Sequence, residues 1–190
     1  TKKSVRDIRR QVGVVFQDPD DQLFMPTLAE DVAFGPANFG VGGQALVERV
    51  DQALAMVGMS EQAQRSPHHL SGGQRRRGAL ASVLACRPDV LVLDEPSANL
   101  DPVARRELAE TLMGLDTTMI VVTHDLPYAA QLCDRAVIVD SGRIAADGGD
   151  LEGALVLTVG EAAGRRGELS WWESRALYGW RVLVPRTKDQ

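Results

Sequence analysis

Four short apolar runs constrain the fold of this chain more than any other feature of its sequence. Each is four or five residues long, which is too short for a helix, and each is apolar without alternation: 12–16, 90–93, 119–122 and 136–139. Unbroken aliphatic runs of this length, rich in β-branched residues, are typical of strands buried in a mainly parallel sheet. Helical patterns lie between them. The sequence therefore predicts an α/β fold with right-handed crossovers.

Three segments carry apolar residues at helical spacing, and a fourth has a helix start signal. The spacing predicts helices over 44–57, 72–86 and 102–115. The last of these has Asp101 as its expected N-cap and Pro102 at its first helical position. A shorter helix is expected to begin at Thr27, because Thr27 and Glu30 have the spacing of a capping box.

Composition and charge limit the class of protein. The chain has 190 residues, 44% of them apolar, and a formal net charge of −5. This acidic balance argues against nucleic acid as a partner, because a phosphate backbone requires a basic face. No run reaches the roughly 18 apolar residues that span a bilayer, so any membrane role is expected to act through a partner. Cys86 and Cys133 lack metal-ligand spacing and are expected to be reduced thiols of a cytosolic protein.

Polar residues follow three of the predicted strands at the point where each strand ends. Gln17 follows the first, Asp94 and Glu95 follow the second, and Thr123 and His124 follow the third. Since ligands bind outside the carboxyl ends of parallel strands, these residues predict one site at that edge of the sheet. Taken singly, each also has a structural interpretation. Gln17 could open a turn, Asp94 could cap a loop, and His124 could be hydrogen-bonded within the fold.

The adjacent carboxylates Asp94 and Glu95 are the most informative pair. An unpaired buried charge is costly, so at least one of them needs a cation, a water or a donor. Mg²⁺ is the expected cation, and Asp94 is expected to hold its hydration shell. Glu95 is the candidate to take a proton from an attacking water or to orient it. His124 is the candidate donor to a terminal phosphate, and Gln17 could contact the metal or the water.

A second candidate site is the start of the helix predicted over 72–86. Ser71 precedes Gly72 and Gly73, and a basic run follows them. A helix start of this kind presents unpaired N–H groups to an anion. The structural alternative is a flexible glycine turn before a solvated basic helix. The phosphate-loop pattern GxxxxGK[ST] occurs nowhere in the 190 residues, so this chain offers no phosphate loop of its own.

Five motifs together resemble those of the ATP-binding cassette (ABC) ATPases. In chain order they are similar to the Q-loop, signature, Walker B, D-loop and His-switch motifs of that family: "VVFQDP" (14–19), "LSGGQ" (70–74), "VLVLDEP" (90–96), "SANLD" (97–101) and "VVTHD" (121–125). The resemblance extends from about Val5 to Gly148. The stretch 20–36 looks like the segment after the Q-loop in energy-coupling-factor importers of cobalt, nickel and vitamins.

The resemblance implies a P-loop NTPase-like fold, a mainly parallel sheet flanked by helices with an inserted helical signature subdomain at about 25–85. The family's N-terminal strands and phosphate loop would lie before Thr1. We therefore expect a partial ATPase domain over 1–149 and a divergent C-terminal extension over 150–190.

The resemblance also implies ATP with Mg²⁺, and a dimer in which each ATP lies between one subunit's phosphate loop and the other's signature helix. The implied partners are a second ABC ATPase subunit, identical or not, and transmembrane transporter subunits, which would place the chain at the cytoplasmic face of the membrane. The expected signature residues, acting on the partner's ATP, are Ser71, Gly72, Gly73 and Gln74. The expected D-loop residues are Ser97, Asn99 and Asp101.

Two features depart from the family pattern. Asn99 stands where the family often has Gly, and little harm is expected because Asn tolerates left-handed backbone. The tail gathers a set of large aromatic residues: Trp171, Trp172, Tyr178 and Trp180. These could dock on the domain or on a partner. They could equally belong to a poorly ordered extension or to the product of a reading-frame change.

Three functions remain open at this point. The first is an ATPase subunit that drives import of a metal ion or vitamin through membrane partners. The second is a non-catalytic partner that lends its signature helix to a complete subunit. The third, a soluble cassette ATPase of DNA repair or translation, is disfavoured by the acidic charge and by the importer-like segment 20–36.

Overall fold

The computed structural model describes residues 2–133, 137–140, 143–147, 157–159 and 181–186. Within these residues one sheet contains seven strands: β1 (Val12–Val15), β2 (Val90–Asp94), β3 (Thr118–Thr123), β4 (Val137–Asp140), β5 (Arg143–Asp147), β6 (Leu157–Val159) and β7 (Arg181–Arg186). Their order across the sheet is β1-β2-β3-β7-β6-β4-β5. All four strands predicted from apolar runs are present, each within one or two residues of its expected bounds.

Strands β1, β2 and β3 pair in parallel, as the sequence predicts. Val14 lies opposite Val92 in β2, and Asp94 lies opposite Val122 in β3. The carboxyl ends of these three strands therefore reach the same edge of the sheet. Beyond β3 the pairing is mixed, because β7 is antiparallel to both β3 and β6, and β4 is antiparallel to β5.

The described helices are α1 (Lys2–Gln11), α2 (Leu28–Asn38), α3 (Gln44–Met56), α4 (Gly72–Leu84), α5 (Pro102–Met113) and α6 (Leu126–Leu132). The capping box of Thr27 and Glu30 is formed at the start of α2, and Asp101 caps α5 as predicted. Helix α3 ends just before Gly58, which has a φ of 65°. The sequence analysis did not predict α1 or α6. None of the described helices is long and apolar enough to cross a bilayer.

The described core is one cluster of buried residues contributed by β1 to β3 and by the helices α2 to α6. Along β2 and β3, buried residues alternate with half-buried ones. The buried apolar residues are Leu91, Leu93, Met119 and Val121, and Thr123 at the end of β3 is buried as well. The sequence predicted that these strands would be buried on both faces. The alternation shows instead that the described residues cover one face of the sheet more completely than the other. Gly78 of α4 permits a close approach to α2, because a Cβ added there would lie 2.7 Å from Leu28 Cδ1.

The helices α2, α3 and α4 lie in the segment expected to form the helical subdomain, about 25–85. Strands β6 and β7 come from within the expected extension, 150–190, yet they belong to the sheet. The domain boundary at 149 stays a prediction. The four tail aromatic residues lie outside the described residues.

Candidate functional site

The residues expected at the sheet edge lie where the three parallel strands end. Asp94 is the last residue of β2, and His124 directly follows β3. Gln17 comes two residues after β1. The register that pairs Asp94 with Val122 brings the turn after β2 beside the end of β3.

Glu95 is the centre of a buried hydrogen-bond network at this edge. Its side chain is 2% exposed, although it follows Asp94 directly. Its Oε2 accepts a hydrogen bond from Thr123 Oγ1 at 3.1 Å, and its Oε1 accepts one from the His124 backbone N–H at 3.2 Å. The same Oε1 lies 2.8 Å from His124 Nδ1. The carboxylate is therefore held by hydrogen bonds that satisfy it in the interior.

This pairing decides which chemistry His124 can perform. An ionised carboxylate can only accept, so Nδ1 carries the hydrogen in the contact with Glu95. The His124 side chain is 52% exposed. In the neutral ring the other nitrogen, Nε2, is an acceptor, whereas in the protonated ring it is a donor. His124 can donate to a phosphate from Nε2 while bound to Glu95 only in its protonated form.

The backbone of Glu95 is unusual. Its φ of 45° is in the left-handed region, and its N–H donates to Val122 O at 2.7 Å. Asn99 has a φ of 59°, so it adopts the left-handed backbone that the sequence analysis expected it to tolerate. Left-handed residues other than Gly occur where the surrounding structure fixes them, and they cluster at functional sites.

A cleft of about 690 Å³ opens beside this turn. It lies between the segment after β1, the start of α4 and the turn after β2, and its lining includes Gln17, Asp18, Gly72, Asp94 and Asn99. The structure thus brings Gln17, the start of α4 and Asp94 to one cleft. The described residues that line the cleft do not include Glu95 or His124.

The Asp94 carboxylate and the Gln17 amide are the two oxygen donors expected to hold Mg²⁺ through its waters. The described residues hold no cluster of three or more His, Cys, Asp or Glu side chains that could form a metal site. Mg²⁺ usually keeps several waters and takes only one or two carboxylates from a protein. One half-buried carboxylate and one exposed amide on an open cleft fit such a hydrated ion.

The start of α4 is a fully formed capping box. Ser71 Oγ accepts from the Gln74 N–H at 3.2 Å, and Gln74 Oε1 accepts from the Ser71 N–H at 2.9 Å. Ser71 and Gly72 are exposed. Gln74 was expected to contact ATP. In the structure its amide oxygen accepts the hydrogen bond from the Ser71 N–H that completes the capping box. Ser71 keeps its hydroxyl hydrogen for an external acceptor.

The two signature glycines have different surroundings. A Cβ added to Gly72 would meet nothing within 4 Å, whereas one added to Gly73 would lie 2.9 Å from Ala104 Cβ. Gly73 therefore permits the close packing of α4 on α5, and Gly72 keeps the helix start open.

The D-loop residues are held by the structure around them. Asp101 Oδ1 accepts from the N–H groups of Val103 and Ala104, so its side chain acts as the α5 cap. Ser97 Oγ lies 3.4 Å from Asp125 Oδ2, which also pairs with Arg105 Nη2 at 2.8 Å.

Sequence reasoning missed two groups near the site. One is the ion pair of Arg105 and Asp125, which joins the start of α5 to the start of α6. The other is Arg76, which is 4% exposed and contacts the turn after β2. Arg76 was noted only as part of the basic run after Gly73. It precedes Leu80 by four residues, so helical spacing could have placed it on the buried face.

Comparison with known proteins identifies the class. Residues 1–98 match the family model described as ABC transporter. The chain therefore belongs to the ATPase domains of ABC transporters. Its described sheet and helices are similar to the solved structure of cbiO1 from Clostridium perfringens, described as part of the ABC transporter complex cbiONQ. The TM-score is 0.72 and the identity 38%, over 78% of this chain and 61% of that one.

Two individual proteins are similar to this chain over about three quarters of its length. A putative ABC transporter ATP-binding protein of Streptomyces coelicolor is 65% identical over 147 residues, which cover 77% of this chain and 56% of that one. The energy-coupling factor transporter ATP-binding protein EcfA of Carboxydothermus hydrogenoformans is 47% identical over 150 residues, with the same two coverages. The chain thus spans about half the length of these two relatives.

Proposed function

We propose that this chain is part of the ATP-hydrolysing subunit of an ABC importer, in which ATP hydrolysis drives uptake of a metal ion or vitamin through membrane subunits. The observation that carries the proposal is the buried Glu95 carboxylate, bonded to Thr123 and His124 beside a cleft that contains Asp94 and Gln17. The importer assignment rests on similarity to EcfA and cbiO1.

In the proposed reaction, Glu95 takes a proton from the attacking water, and its hydrogen bonds to Thr123 and His124 hold it in place for that step. Asp94 and Gln17 would hold Mg²⁺ through its waters, and the bound ion would supply positive charge beside the phosphates. Protonated His124 donates from Nε2 to the terminal phosphate. The exposed start of α4, at Ser71 and Gly72, presents N–H groups to the phosphate of an ATP bound by a second subunit.

A membrane partner is supported by an exposed aromatic pair in the importer-like segment. Phe24 is 60% and Phe34 45% exposed, and their rings meet edge to face with centroids 5.0 Å apart. Asp31 fixes this loop, because its Oδ1 accepts from the N–H groups of Phe24 and Met25. We propose that the pair contacts a transporter subunit at the cytoplasmic face of the membrane.

One observation favours the second candidate, a partner that only lends its signature motif. The start of α4, with its capping box and the exposed Ser71 and Gly72, is completely formed within this chain, and it is all that such a partner needs. Such a chain would hold a second subunit's ATP without hydrolysing ATP on its own side.

Mixing the chain with the complete Streptomyces coelicolor relative tests the signature motif, which both candidates use. In either case the chain is expected to stimulate hydrolysis by the relative, to lose that stimulation on Ser71→Arg, and to keep it on Glu95→Gln. The two candidates differ only in catalysis on the chain's own side.

To test the catalytic role, the N-terminal portion of the relative is joined ahead of Thr1, giving a restored cassette. Hydrolysis by that cassette, lost on Glu95→Gln, supports the ATPase subunit. A restored cassette that binds ATP but does not hydrolyse it would contradict the ATPase proposal and favour the second candidate.

A further inference from the structure

Arg76 is a buried arginine whose guanidinium binds backbone rather than a carboxylate. Its Nη1 donates to Glu95 O at 3.2 Å, and its Nη2 donates to Ala98 O at 3.0 Å. Among the described residues no carboxylate forms an ion pair with it. Burial lowers the pKa of Arg76, and the charge of Asp18 is the largest influence that opposes this. A methionine would occupy similar space without burying a charge. The two hydrogen bonds therefore give this arginine a role that packing alone does not explain.

The turn that Arg76 binds comprises residues 95–98, with a left-handed residue at its start and another directly after its end. Glu95 and Asn99 have φ values of 45° and 59°, and the N–H of Ala98 donates back to Glu95 O at 3.0 Å. A left-handed backbone is unfavourable for a residue other than Gly and persists only where its surroundings hold it. The two hydrogen bonds from Arg76 join the carbonyls of the first and fourth residues of this turn.

The conformation of this turn determines where the Glu95 side chain lies. The φ of Glu95 sets where its Cβ and its carbonyl lie relative to β2. A change of this φ would move the carbonyl away from Arg76 and the Cβ with it, and the carboxylate would then lose its contacts with Thr123 Oγ1 and His124 Nδ1. We propose that Arg76 is a positioning residue for the Glu95–His124 pair. The chemical role of that pair rests on the proposed function, whereas its geometry does not.

The same side chain connects two parts of the site. Arg76 lies five residues after Ser71 on α4, about 7.5 Å along the helix axis. The start of that helix also packs on α5, where Gly73 meets Ala104. The helix end proposed to hold a partner's phosphate is thus joined to the turn that carries Glu95 through one guanidinium.

The test uses the whole 190-residue chain, labelled with ¹⁵N, and requires no ATP. Nuclear magnetic resonance reads the ring nitrogens of His124, after its signal is assigned against His68 and His69 with single substitutions, and hydrogen exchange reads the Ala98 amide. In Arg76→Met, the Nδ1 signal is expected to lose its hydrogen-bonded character. Exchange at Ala98 is expected to rise about ten- to hundredfold. Arg76→Lys, which can reach one carbonyl, is expected to lie between.

The matched control is Arg77→Met, which removes the neighbouring arginine and its 2.9 Å ion pair with Glu107. It is expected to leave His124 and Ala98 unchanged. A folded Arg76→Met with wild-type His124 signals and wild-type exchange at Ala98 would overturn the proposal. If that variant does not fold, Arg76→Lys decides by the same readouts. Neither readout involves ATP. A negative result here would therefore contradict only the positioning role of Arg76, and a loss of ATP-dependent assembly would contradict only the proposed function.

Discussion

Glu95 and His124 are 29 residues apart in the chain, and their side chains meet at 2.8 Å between Oε1 and Nδ1. The contact joins the end of β2 to the end of β3, and the His124 side chain is 52% exposed. The buried carboxylate, bound to a half-exposed imidazole, gives the proposed proton acceptor a fixed position.

The chain alone is expected to bind ATP weakly or not at all. It lacks the GxxxxGK[ST] pattern, whose backbone and Lys supply most phosphate contacts. Titration with a fluorescent ATP analogue in Mg²⁺ measures this, with the restored cassette as the positive control. Low-micromolar affinity of the chain alone would mean that another part of it supplies a phosphate site.

The two signature glycines are expected to respond differently to alanine. Gly72→Ala should leave the free energy of unfolding within about 0.5 kcal/mol, because its Cβ enters open space, but it should weaken ATP-dependent assembly with a second subunit. Gly73→Ala should cost about 1–3 kcal/mol, because its Cβ meets Ala104 at 2.9 Å. Urea unfolding and sedimentation with ATP measure the two effects. Equal loss of stability in both variants would contradict this assignment.

Asp31 is expected to make stability depend on pH. Burial raises its pKa above the ordinary 3.8, although the N–H groups of Phe24 and Met25 oppose the shift. The folded state therefore holds the proton more tightly than the unfolded chain. Its contribution to stability is fully present below 3.8 and is lost as pH rises through the raised pKa.

Asp31→Asn keeps an oxygen for the two N–H donors and removes the titration. Urea unfolding over a pH series should therefore show a smaller decline for this variant than for the wild type. Asp31→Ala leaves both donors unsatisfied and should cost about 1–3 kcal/mol. Parallel pH curves for the wild type and Asp31→Asn would rule out Asp31 as the source.

The aromatic pair is expected to matter for the membrane partner and little for folding. Phe24→Ser with Phe34→Ser should reduce binding of the restored cassette to membranes that contain the transporter by about tenfold or more, because both exposed rings are lost. Val103→Ser, at an equally exposed position on α5, is the control. Cosedimentation measures binding, and unchanged binding of the double variant would place the membrane contact elsewhere.

Local features of the sequence predicted much of this structure. The short apolar runs and the caps at Thr27 and Asp101 depend on neighbouring residues, and each appears where it was expected. Helix α1 was missed because its sequence offers only Val5 and Ile8 as apolar residues. The pairing of β7 with β3 was missed because it joins segments about 60 residues apart, which no local pattern encodes.

The sequence predicted which residues lie near one another at the site, but it did not predict which of their atoms form hydrogen bonds. Parallel strands bring Gln17, Asp94 and His124 to one edge, and the order of the motifs indicates this. The direct bond of His124 to Glu95, the cap made by Gln74 and the hydrogen bonds of Arg76 depend on side-chain positions that become fixed only when the sheet and α4 pack together.

The most direct measurement of the central claim is ATP hydrolysis together with ATP-dependent dimerisation of the restored cassette carrying Glu95→Gln. The amide keeps the shape of the side chain but cannot take a proton. Hydrolysis should therefore fall by at least about a hundredfold while dimers persist with ATP bound. Glu107→Gln, which changes an exposed glutamate on α5, serves as the control and should retain activity. Near-normal hydrolysis by Glu95→Gln would contradict the account, because His124 and Gln17 would then have to activate the water without this carboxylate.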